Sequence, residues 1–492
     1  MKQKNKMKQK SQIVFYILFY LTLTLIIFSG SILWLQTYLS FIEKEVYKIL
    51  ALNIAESGIE YYRWYLNHFP TDFTDGTGQP GPYKHDFYNR LGEKIGEFEL
   101  NIFPPDEGLS LVKIISLGNL ENNKASKKIE ALLGRPSLAK FSVMSDDNIR
   151  FGEGTEVYGE IHSNKGIRFD GVAYNLVKSA ILTYWDPDHS DCKEWAVHTH
   201  VSPKDPCASP NPDPNQLPLR PDVFKAGRLI GVPAQDFAGI SQDLAYYKNL
   251  AQSKGIYLGF SGQNNYGYEL IIRPDGKIDI YLVKRILDIS SCNISDPYAD
   301  STRDKRYSLS TWSISQKNFL GTYNYPQNGV IFVEDNIWVS GQVNNKKILI
   351  ASAKFPENFG QMTSIIINSD LKYTNYDGRD AIGLIAQKNV LIGLKSSDIL
   401  RIDGVLVAQN GRIGRHNYSS GCGPEYKREK IMIYGSLITR KRYGFSWVNN
   451  QGNWVSGYRL RELTYNADNL YFPTPYFPLA SEFYEILKWK EF

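Results

Sequence analysis

The sequence lacks the short patterns that mark common catalytic centres, and it has no large surplus of positive charge. It contains no His-Glu-x-x-His helix, no nucleophile elbow and no phosphate-binding glycine loop. The net charge is +5, but five lysines fall within the first ten residues, so the rest of the chain is close to neutral. A near-neutral body offers no basic face for nucleic acid. We therefore expect no enzymatic activity, no cofactor and no nucleic-acid partner.

Methionine and cysteine are also scarce, whereas aromatic residues are abundant. The 492 residues include 5 methionines and 4 cysteines, but 33 tyrosines and 24 phenylalanines. Tyrosine and phenylalanine favour strands, and the many glycines and prolines favour turns. A chain of this length also exceeds what one hydrophobic core normally supports. The composition predicts two or three domains with mainly β structure.

A long apolar run lies close to the N-terminus. Residues 13–35, IVFYILFYLTLTLIIFSGSILWL, carry no charge. At about 1.5 Å per residue, a helix of this length spans roughly 35 Å, enough to cross the hydrocarbon core of a bilayer. A cleaved signal peptide would have a shorter apolar region and an Ala-x-Ala-like site, and neither is present. We expect a single-pass transmembrane helix in contact with membrane lipid.

The charges that flank this run predict its orientation. Residues 1–12 form a basic tail, and no lysine or arginine follows closely behind the run. Positively charged flanks remain on the cytoplasmic side of membranes. We therefore expect a cytoplasmic N-terminus and an extracellular C-terminal ectodomain.

The helix is expected to continue over residues 36–69, because residues 40–67 contain no proline and only one glycine. Ala51, Ala55 and Gly58 recur at steps of four and three, so they form a stripe of small residues on one face. Such a stripe lets another segment approach closely, and the aromatic residues after it would contact a globular domain. Two alternatives remain open: the stripe packs against a helix of another molecule, or against the protein's own chain.

This N-terminal region resembles that of type IV pilus minor pilins of the assembly (PilX-like) type. The resemblance rests on the basic tail, the apolar helix, its amphipathic extension and the segment AESGIEYYRW (55–64), and it covers about the first 70 residues. It implies a small antiparallel sheet after the helix. It also implies assembly through the helix with pilin-like partners or with further copies. The sequence departs from the prepilin pattern in two respects: KQKSQ precedes the apolar run, and the run contains no acidic residue.

The region after the helix shows the alternation of strands. Residues 90–135 hold three alternating segments separated by turn residues, which predicts a small β-meander. Farther on, five segments share one design: apolar or small residues, then polar ones, then an Asn or Gly, then an alternating strand. Spacings of 18 and 22 residues between them match one coil of a β-solenoid, and paired β-sandwich hairpins are the alternative. Because Asn and Gly adopt left-handed backbone conformations most easily, a recurring corner is expected at Asn148, Gly166, Asn336, Asn389 and Gly411.

These segments set the remaining boundaries. The solenoid is assigned to residues 140–174 and 329–445, an inserted α+β region to 175–328, and an extended C-terminal cover to 446–492. The predicted fold class is therefore mainly β with a long N-terminal α-helix. It consists of a pilin-like helix and a small antiparallel meander, followed by a right-handed β-helix-like solenoid with the α+β insertion.

One loop region of the insertion contains cysteines and several residues that could bind a metal ion. Cys192 and Cys207 flank it and are the preferred disulfide pair, because extracellular cysteines meet oxidising conditions. The loop lacks the Gly and the distal Glu of an EF-hand, and its His-x-His pattern suits a strand that no other feature supports, so no metal site is assigned. Its potential zinc or calcium ligands are Asp186, Asp188, His189, Asp191, Cys192, His198 and His200.

Right-handed β-helices also include polysaccharide-cleaving enzymes, which use converging acidic residues. Asp146, Asp147, Glu334 and Asp335 occupy matching positions of the repeats. Acidic residues just before a corner are ordinarily solvated turn residues, so we favour a pilin-like structural or adhesion protein at the cell surface. The alternative is a membrane-tethered β-helix that binds surface glycans or cleaves polysaccharide.

Overall fold

The computed structural model describes residues 2–237, 239–298, 306–449, 451 and 453–492, with the backbone alone for residues 2–12, 123, 189–190 and 239–242. The protein is mainly β with a long N-terminal helix, as the sequence predicts. Its chain forms two compact units. The helix unit comprises Met1–Pro104, Leu111–Gly134 and Tyr484–Phe492, and the ladder unit comprises Pro105–Ser110 and Arg135–Phe483.

The described helices are α1 (Lys2–His68), α2 (Gly239–Lys254) and the short α3 (Asp468–Tyr471). Helix α1 has 67 residues and is therefore about 100 Å long. It contains no proline, and it ends just before Phe69, which precedes Pro70 and so disfavours helical backbone.

The strands are short in most of the chain and long in a few places. The first are β1 (Tyr83–Tyr88), β2 (Lys94–Phe103), β3 (Val112–Leu120) and β4 (Ser126–Gly134). Next come β5 (Val143–Ser145), β6 (Ile149–Phe151), β7 (Glu156–Val157), β8 (Ile161–Ser163), β9 (Ile167–Phe169), β10 (Val172–Ala173), β11 (Val177–Ser179), β12 (Thr183–Asp186), β13 (His189–Trp195), β14 (Val197–His198) and β15 (Arg228–Ile230). After α2 follow β16 (Ile256–Leu258), β17 (Gly267–Ile272), β18 (Lys277–Ile286), β19 (Ile294–Ser295), β20 (Ile314–Asn324), β21 (Val330–Val333), β22 (Ile337–Val343), β23 (Lys347–Ser352), β24 (Ile365–Ile366) and β25 (Leu371–Tyr373). The last are β26 (Ala381–Ala386), β27 (Val390–Ile392), β28 (Ile399–Ala408), β29 (Ile413–Arg415), β30 (Asn417–Tyr418), β31 (Lys427–Thr439), β32 (Ser446–Val448), β33 (Trp454–Thr464) and β34 (Glu485–Glu491).

The helix unit contains one antiparallel sheet in the order β1-β2-β3-β4-β34. Burial alternates along β3, so one of its faces is covered and the other is partly open. The sheet is larger than the meander expected at residues 90–135, because β1 starts at Tyr83 and the end of the chain adds β34. Residues 446–492 are therefore not an extended cover, since they include β32, β33 and β34.

Strands of the ladder unit pair mostly in parallel, and their spatial order differs from the chain order. The main ladder runs β16-β21-β23-β26-β28-β31-β5-β8-β11-β15. A second one runs β17-β22-β24-β27-β29. Strand β5, the first strand of this unit along the chain, thus pairs with β31, which lies near the C-terminal end of the unit. Helix α2 lies in the connection from β15 back to β16.

Aliphatic residues stack along the main ladder and explain its pairing. Each contacts its neighbour in register, and all are buried. Parallel strands covered on both faces need such continuous apolar content. The stack consists of Ile331, Ile350, Leu384, Leu406, Leu437, Val143, Ile161 and Val177.

The predicted boundaries of the insertion differ from the structure. Residues 140–174 meet 329–445 through the pairing of Val143 with Leu437, and not at the two edges of the insertion. The region 175–328 itself supplies β11, β15, β16 and β17 to the two ladders. Strands β11, β15 and β16 have three residues each and are too short for their alternation to be recognised in the sequence, whereas β17 and β18 form the hairpin that the sequence predicts over residues 268–283.

The explanation offered for the repeated corners was wrong. Each of the five corner residues is described, and none has a left-handed φ. Instead, the Asn148 side chain accepts a hydrogen bond from the backbone of Gly166 at 2.9 Å, and Asn389 accepts one from Arg412 at 2.8 Å. The side-chain oxygen of an Asn in one turn thus accepts a hydrogen bond from a backbone N–H of the next turn, which explains why Asn recurs at these positions.

Candidate functional site: the long helix and its sheet

The first half of α1 exposes a continuous apolar surface. Phe28 is 70% exposed and Trp34 is 67% exposed, and the other apolar residues of 13–35 are similar. Soluble proteins rarely leave so large an apolar surface in water, whereas a lipid bilayer favours it. By length and composition the helix can cross a membrane. These features fit a membrane-anchored protein.

The small residues of α1 pack on the protein's own sheet. Ala51 and Ala55 are fully buried, and they face Gly118 of β3. A β-carbon on Gly118 would overlap the Ala51 carbonyl oxygen and lie 2.5 Å from the Ala55 amide nitrogen. A β-carbon on Gly58 would overlap Ser116 Oγ and would lie 3.0 Å from the Phe98 ring. Of the two alternatives for the stripe, the structure shows the second: the small residues pack against the protein's own chain.

Glycines inside the strands were the sequence signal for this close approach. Gly96 in β2 and Gly118 in β3 interrupt otherwise apolar alternation, and glycine within a strand often marks a place where another backbone comes near. An added β-carbon on Gly96 would lie 2.6 Å from the Ile54 side chain. The helix therefore meets glycines of two neighbouring strands.

The tyrosines after the stripe hold the segment that leaves the helix. Tyr62 donates to the backbone oxygen of Asp72 at 3.0 Å, and Tyr65 donates to the Asp72 carboxylate at 2.6 Å. Tyr61 donates to Asp75 at 3.1 Å, and the other oxygen of Asp75 pairs with His85 of β1 at 2.6 Å. This network connects α1, the following loop and the first strand.

The hydrogen bonds set the charge of this network. Donation from Thr74, followed by donation from Tyr65, lowers the pKa of Asp72 from 3.8 to about 2. The Asp72 hydrogen bond, followed by burial, raises the pKa of Tyr65 to about 12. Asp72 is therefore ionised and Tyr65 neutral at neutral pH, which is the arrangement that their hydrogen bond needs.

The end of the chain also fastens to α1. The backbone nitrogen of Tyr484 donates to Asn67 Oδ1 at 2.6 Å, and the Tyr484 hydroxyl donates to the Pro70 carbonyl at 3.1 Å. Strand β34 then pairs with β4. This attachment is not among the features predicted from the sequence, although EILKWKE alternates as an edge strand does.

A second face of α1 remains exposed beyond residue 35. Leu39, Ile42, Val46 and Ile49 are between 40% and 57% exposed. They recur at steps of three, four and three, the spacing of a coiled-coil contact. At about 100° per residue they lie nearly opposite Ala51, Ala55 and Gly58. We call these four residues the exposed seam.

The cysteine loop lies in the ladder unit. The structure joins Cys192 to Cys207, and it also joins Cys292 to Cys422. Cys192 is therefore not a thiolate ligand. Of the other potential ligands, Asp186, His198 and His200 come together.

The remaining members of that set lie elsewhere. Asp188 pairs with Arg150 at 3.4 Å and with Arg442 at 2.9 Å. Asp191 is exposed on β13. The side chain of His189 lies outside the described residues.

The four acidic residues weighed as catalytic candidates have separate local partners. Asp146 and Asp147 line a cavity of about 680 Å³ together with Lys165, Arg440 and Lys441. Glu334 pairs instead with Lys248 at 2.5 Å and accepts from Tyr257 at 2.7 Å. Asp335 accepts from Ser261 at 2.6 Å. Glu334 and Asp335 are not among the residues that line the cavity beside Asp146 and Asp147.

Comparisons with known proteins place few limits on this chain. No known protein family matches the sequence, and no curated protein matches it. Among solved structures, the competence-associated pilin ComZ from Thermus thermophilus is similar, with a TM-score of 0.32 and 12% identity over 91% of this chain and 97% of that one. A likeness of this size carries no functional information.

Proposed function

We propose that the protein is a membrane-anchored, pilin-like structural or adhesion protein that assembles through the exposed seam of α1. The observation that carries this proposal is that two parts of α1 differ in what they contact. Residues 13–35 of this helix are mostly apolar and exposed, and its second half uses one face for the protein's own sheet. The helix-on-sheet arrangement is what the resemblance to PilX-like minor pilins implies.

Assembly is assigned to the exposed seam because the small-residue stripe is already occupied. Four apolar side chains over three helical turns lie beyond the expected membrane span, where water would surround them. A second helix with the same spacing would cover them by knobs-into-holes packing. The partner is a pilin-like helix or a further copy of this chain.

In this proposal the N-terminus is cytoplasmic, and the chain beyond residue 35 is extracellular, including the ladder unit and the sheet of the helix unit. The five lysines before the membrane span favour this orientation. The two disulfides support it as well, because disulfides persist in oxidising compartments.

The ladder unit is proposed to be a β-solenoid that presents an adhesive surface, with surface glycans among its ligands. The ten-strand parallel ladder and the aligned aliphatic stack support a coiled chain. Asn side chains that bridge successive turns support it further. A structural role suits the local pairing of the acidic candidates better than catalysis does.

Protease accessibility in intact cells tests the anchor and its orientation. The full chain should stay in the membrane after alkaline extraction, and external protease should remove everything beyond the span. A soluble mature form that starts near residue 36 would contradict the anchor. Full protection from external protease would contradict the orientation.

Paired substitutions test assembly through the seam. Ile42→Asn with Val46→Asn should reduce crosslinked oligomers in membranes, because each change puts an amide into an apolar contact. Lys44→Asn with Lys48→Asn is the matched control, since both lysines are exposed away from the seam. Equal oligomer yields from both double variants would remove the seam from the proposal.

A further inference from the structure

Three potential metal ligands converge in the ladder unit. Asp186 ends β12, His198 lies in β14, and His200 follows two residues later. One ligand atom from each lies within 4.8 Å of the other two. Asp186 is 3% exposed and His198 is fully buried, while His200 is partly open.

The orientation of His198 leaves a lone pair inside this cluster. Its Nδ1 lies 3.2 Å from the Trp195 carbonyl oxygen, which can only accept, so Nδ1 carries the hydrogen. The opposite nitrogen, Nε2, is buried and has no hydrogen-bond partner among the described residues. Metal-binding histidines use this arrangement, with one nitrogen bonded to a carbonyl and the other free for the ion.

A second unsatisfied acceptor faces that lone pair. Asp186 Oδ2 is also buried without a hydrogen-bond partner in the described part of the chain, and it lies 3.6 Å from His198 Nε2. Two acceptors at this separation repel each other unless a proton or a metal cation lies between them. Ligands of a tetrahedral zinc ion are about 3.4 Å apart, given bonds of about 2.1 Å.

Two cationic side chains lie around the cluster. Arg168 Nη1 lies 3.5 Å from Asp186, but its Nε is held more closely by Asp170, at 2.8 Å. Lys204 pairs with Glu194 at 3.2 Å, and Glu194 lies 3.4 Å from His200. Each of these two cations thus has a carboxylate partner other than Asp186.

The backbone holds these residues in place. The Cys192–Cys207 disulfide closes the loop that carries both histidines. His198 pairs in register with Arg168 of β9. His200 is among the residues that line a cavity of about 660 Å³, whereas Asp186 and His198 are not.

We propose that Asp186, His198 and His200 bind a divalent transition-metal cation, with zinc as the best match. Two imidazoles and a carboxylate form a common zinc ligand set, which water would complete as a fourth ligand. The ion would connect the β12–β13 hairpin to β14. This site is independent of the proposed assembly through α1.

Cobalt titration of the detergent-solubilised full chain, purified without a histidine tag and stripped by chelator, tests this proposal. Wild-type protein should bind one Co²⁺ per chain with visible absorption of four- or five-coordinate metal, and Zn²⁺ should displace it. Asp186→Asn and His200→Asn should each weaken binding at least tenfold. His68→Asn and Asp191→Asn, both exposed positions outside the cluster, are the matched controls and should bind as the wild type does.

Absence of a stoichiometric Co²⁺ band in the wild type would overturn the proposal. Arg168 would then be the cation that pairs with Asp186. Unchanged affinity in His200→Asn would overturn it as well. His200 lies at the edge of the cluster, so this variant remains informative if the buried Asp186→Asn protein does not fold.

Discussion

Gly118 of β3 lies directly against Ala51 of α1, so that a β-carbon on the glycine would overlap the alanine carbonyl oxygen. Helix and sheet backbones therefore meet without side chains between them. The small residues of α1 are explained by this contact, and a second molecule is not needed to account for them. The face left for other molecules is the exposed seam.

The first prediction concerns this contact. Gly118→Ala should lower the free energy of unfolding of the helix unit by about 1–3 kcal/mol, because backbone atoms must move to admit the methyl group. Thermal unfolding of the solubilised full chain, followed by limited proteolysis near β3, measures the change. Gly152→Ala is the control, since no atom lies within 4 Å of its added β-carbon. Equal melting of the two variants would show that the contact is not as close as described.

A larger residue within the stripe separates internal packing from assembly. Ala55→Leu should lower the melting temperature, because Ala55 is fully buried against the sheet. Crosslinked oligomers should keep their wild-type yield. Loss of oligomers at an unchanged melting temperature would instead assign the stripe to contacts between molecules.

The loop held by Asp72 should respond to acid. Its pKa is lowered in the folded state, so its contribution to stability is complete above about pH 4 and is lost as the pH falls toward 2. Hydrogen exchange of residues 72–78 should therefore accelerate between pH 4 and pH 2, after correction for intrinsic rates. In Asp72→Asn that acceleration should be absent, and the same acceleration in this variant would assign it to another group.

The two disulfides should differ in their effect on stability. Cys292 and Cys422 are 130 residues apart, whereas Cys192 and Cys207 are 15 apart. Chain entropy predicts a gain of about 5 kcal/mol for the longer loop and about 3 kcal/mol for the shorter one. Replacing Cys292 and Cys422 by serine should therefore lower the melting temperature more than replacing Cys192 and Cys207. The reverse order, or free thiols in unreduced wild type, would contradict this.

Features encoded locally could be predicted from the sequence. The apolar run and the proline-free extension of α1 give a long helix, and the turn residues between alternating segments give β2, β3 and β4. The preference for Cys192 and Cys207 came from their flanking positions on one loop. In each case the signal lies within a few tens of residues.

Features that depend on distant pairing could not be predicted. Val143 pairs with Leu437 because both present an aliphatic side chain to the same stack, but nothing local distinguishes this partner from others. Strand β34 joins a sheet whose other strands lie more than 300 residues earlier. The three metal-ligand candidates likewise converge only through the pairing of β12, β13 and β14 with their neighbours.

Single-cysteine crosslinking along α1 in native membranes tests the central claim most directly. All four natural cysteines are paired, so an introduced thiol at Ile42, Val46 or Ile49 reacts alone. These three positions should form disulfide-linked pairs, with another copy or with a pilin-like partner carrying a matching thiol, and Lys44→Cys on the opposite side should not. Crosslinking at Lys44→Cys equal to that at Val46→Cys, or none at any seam position, would contradict assembly through the seam.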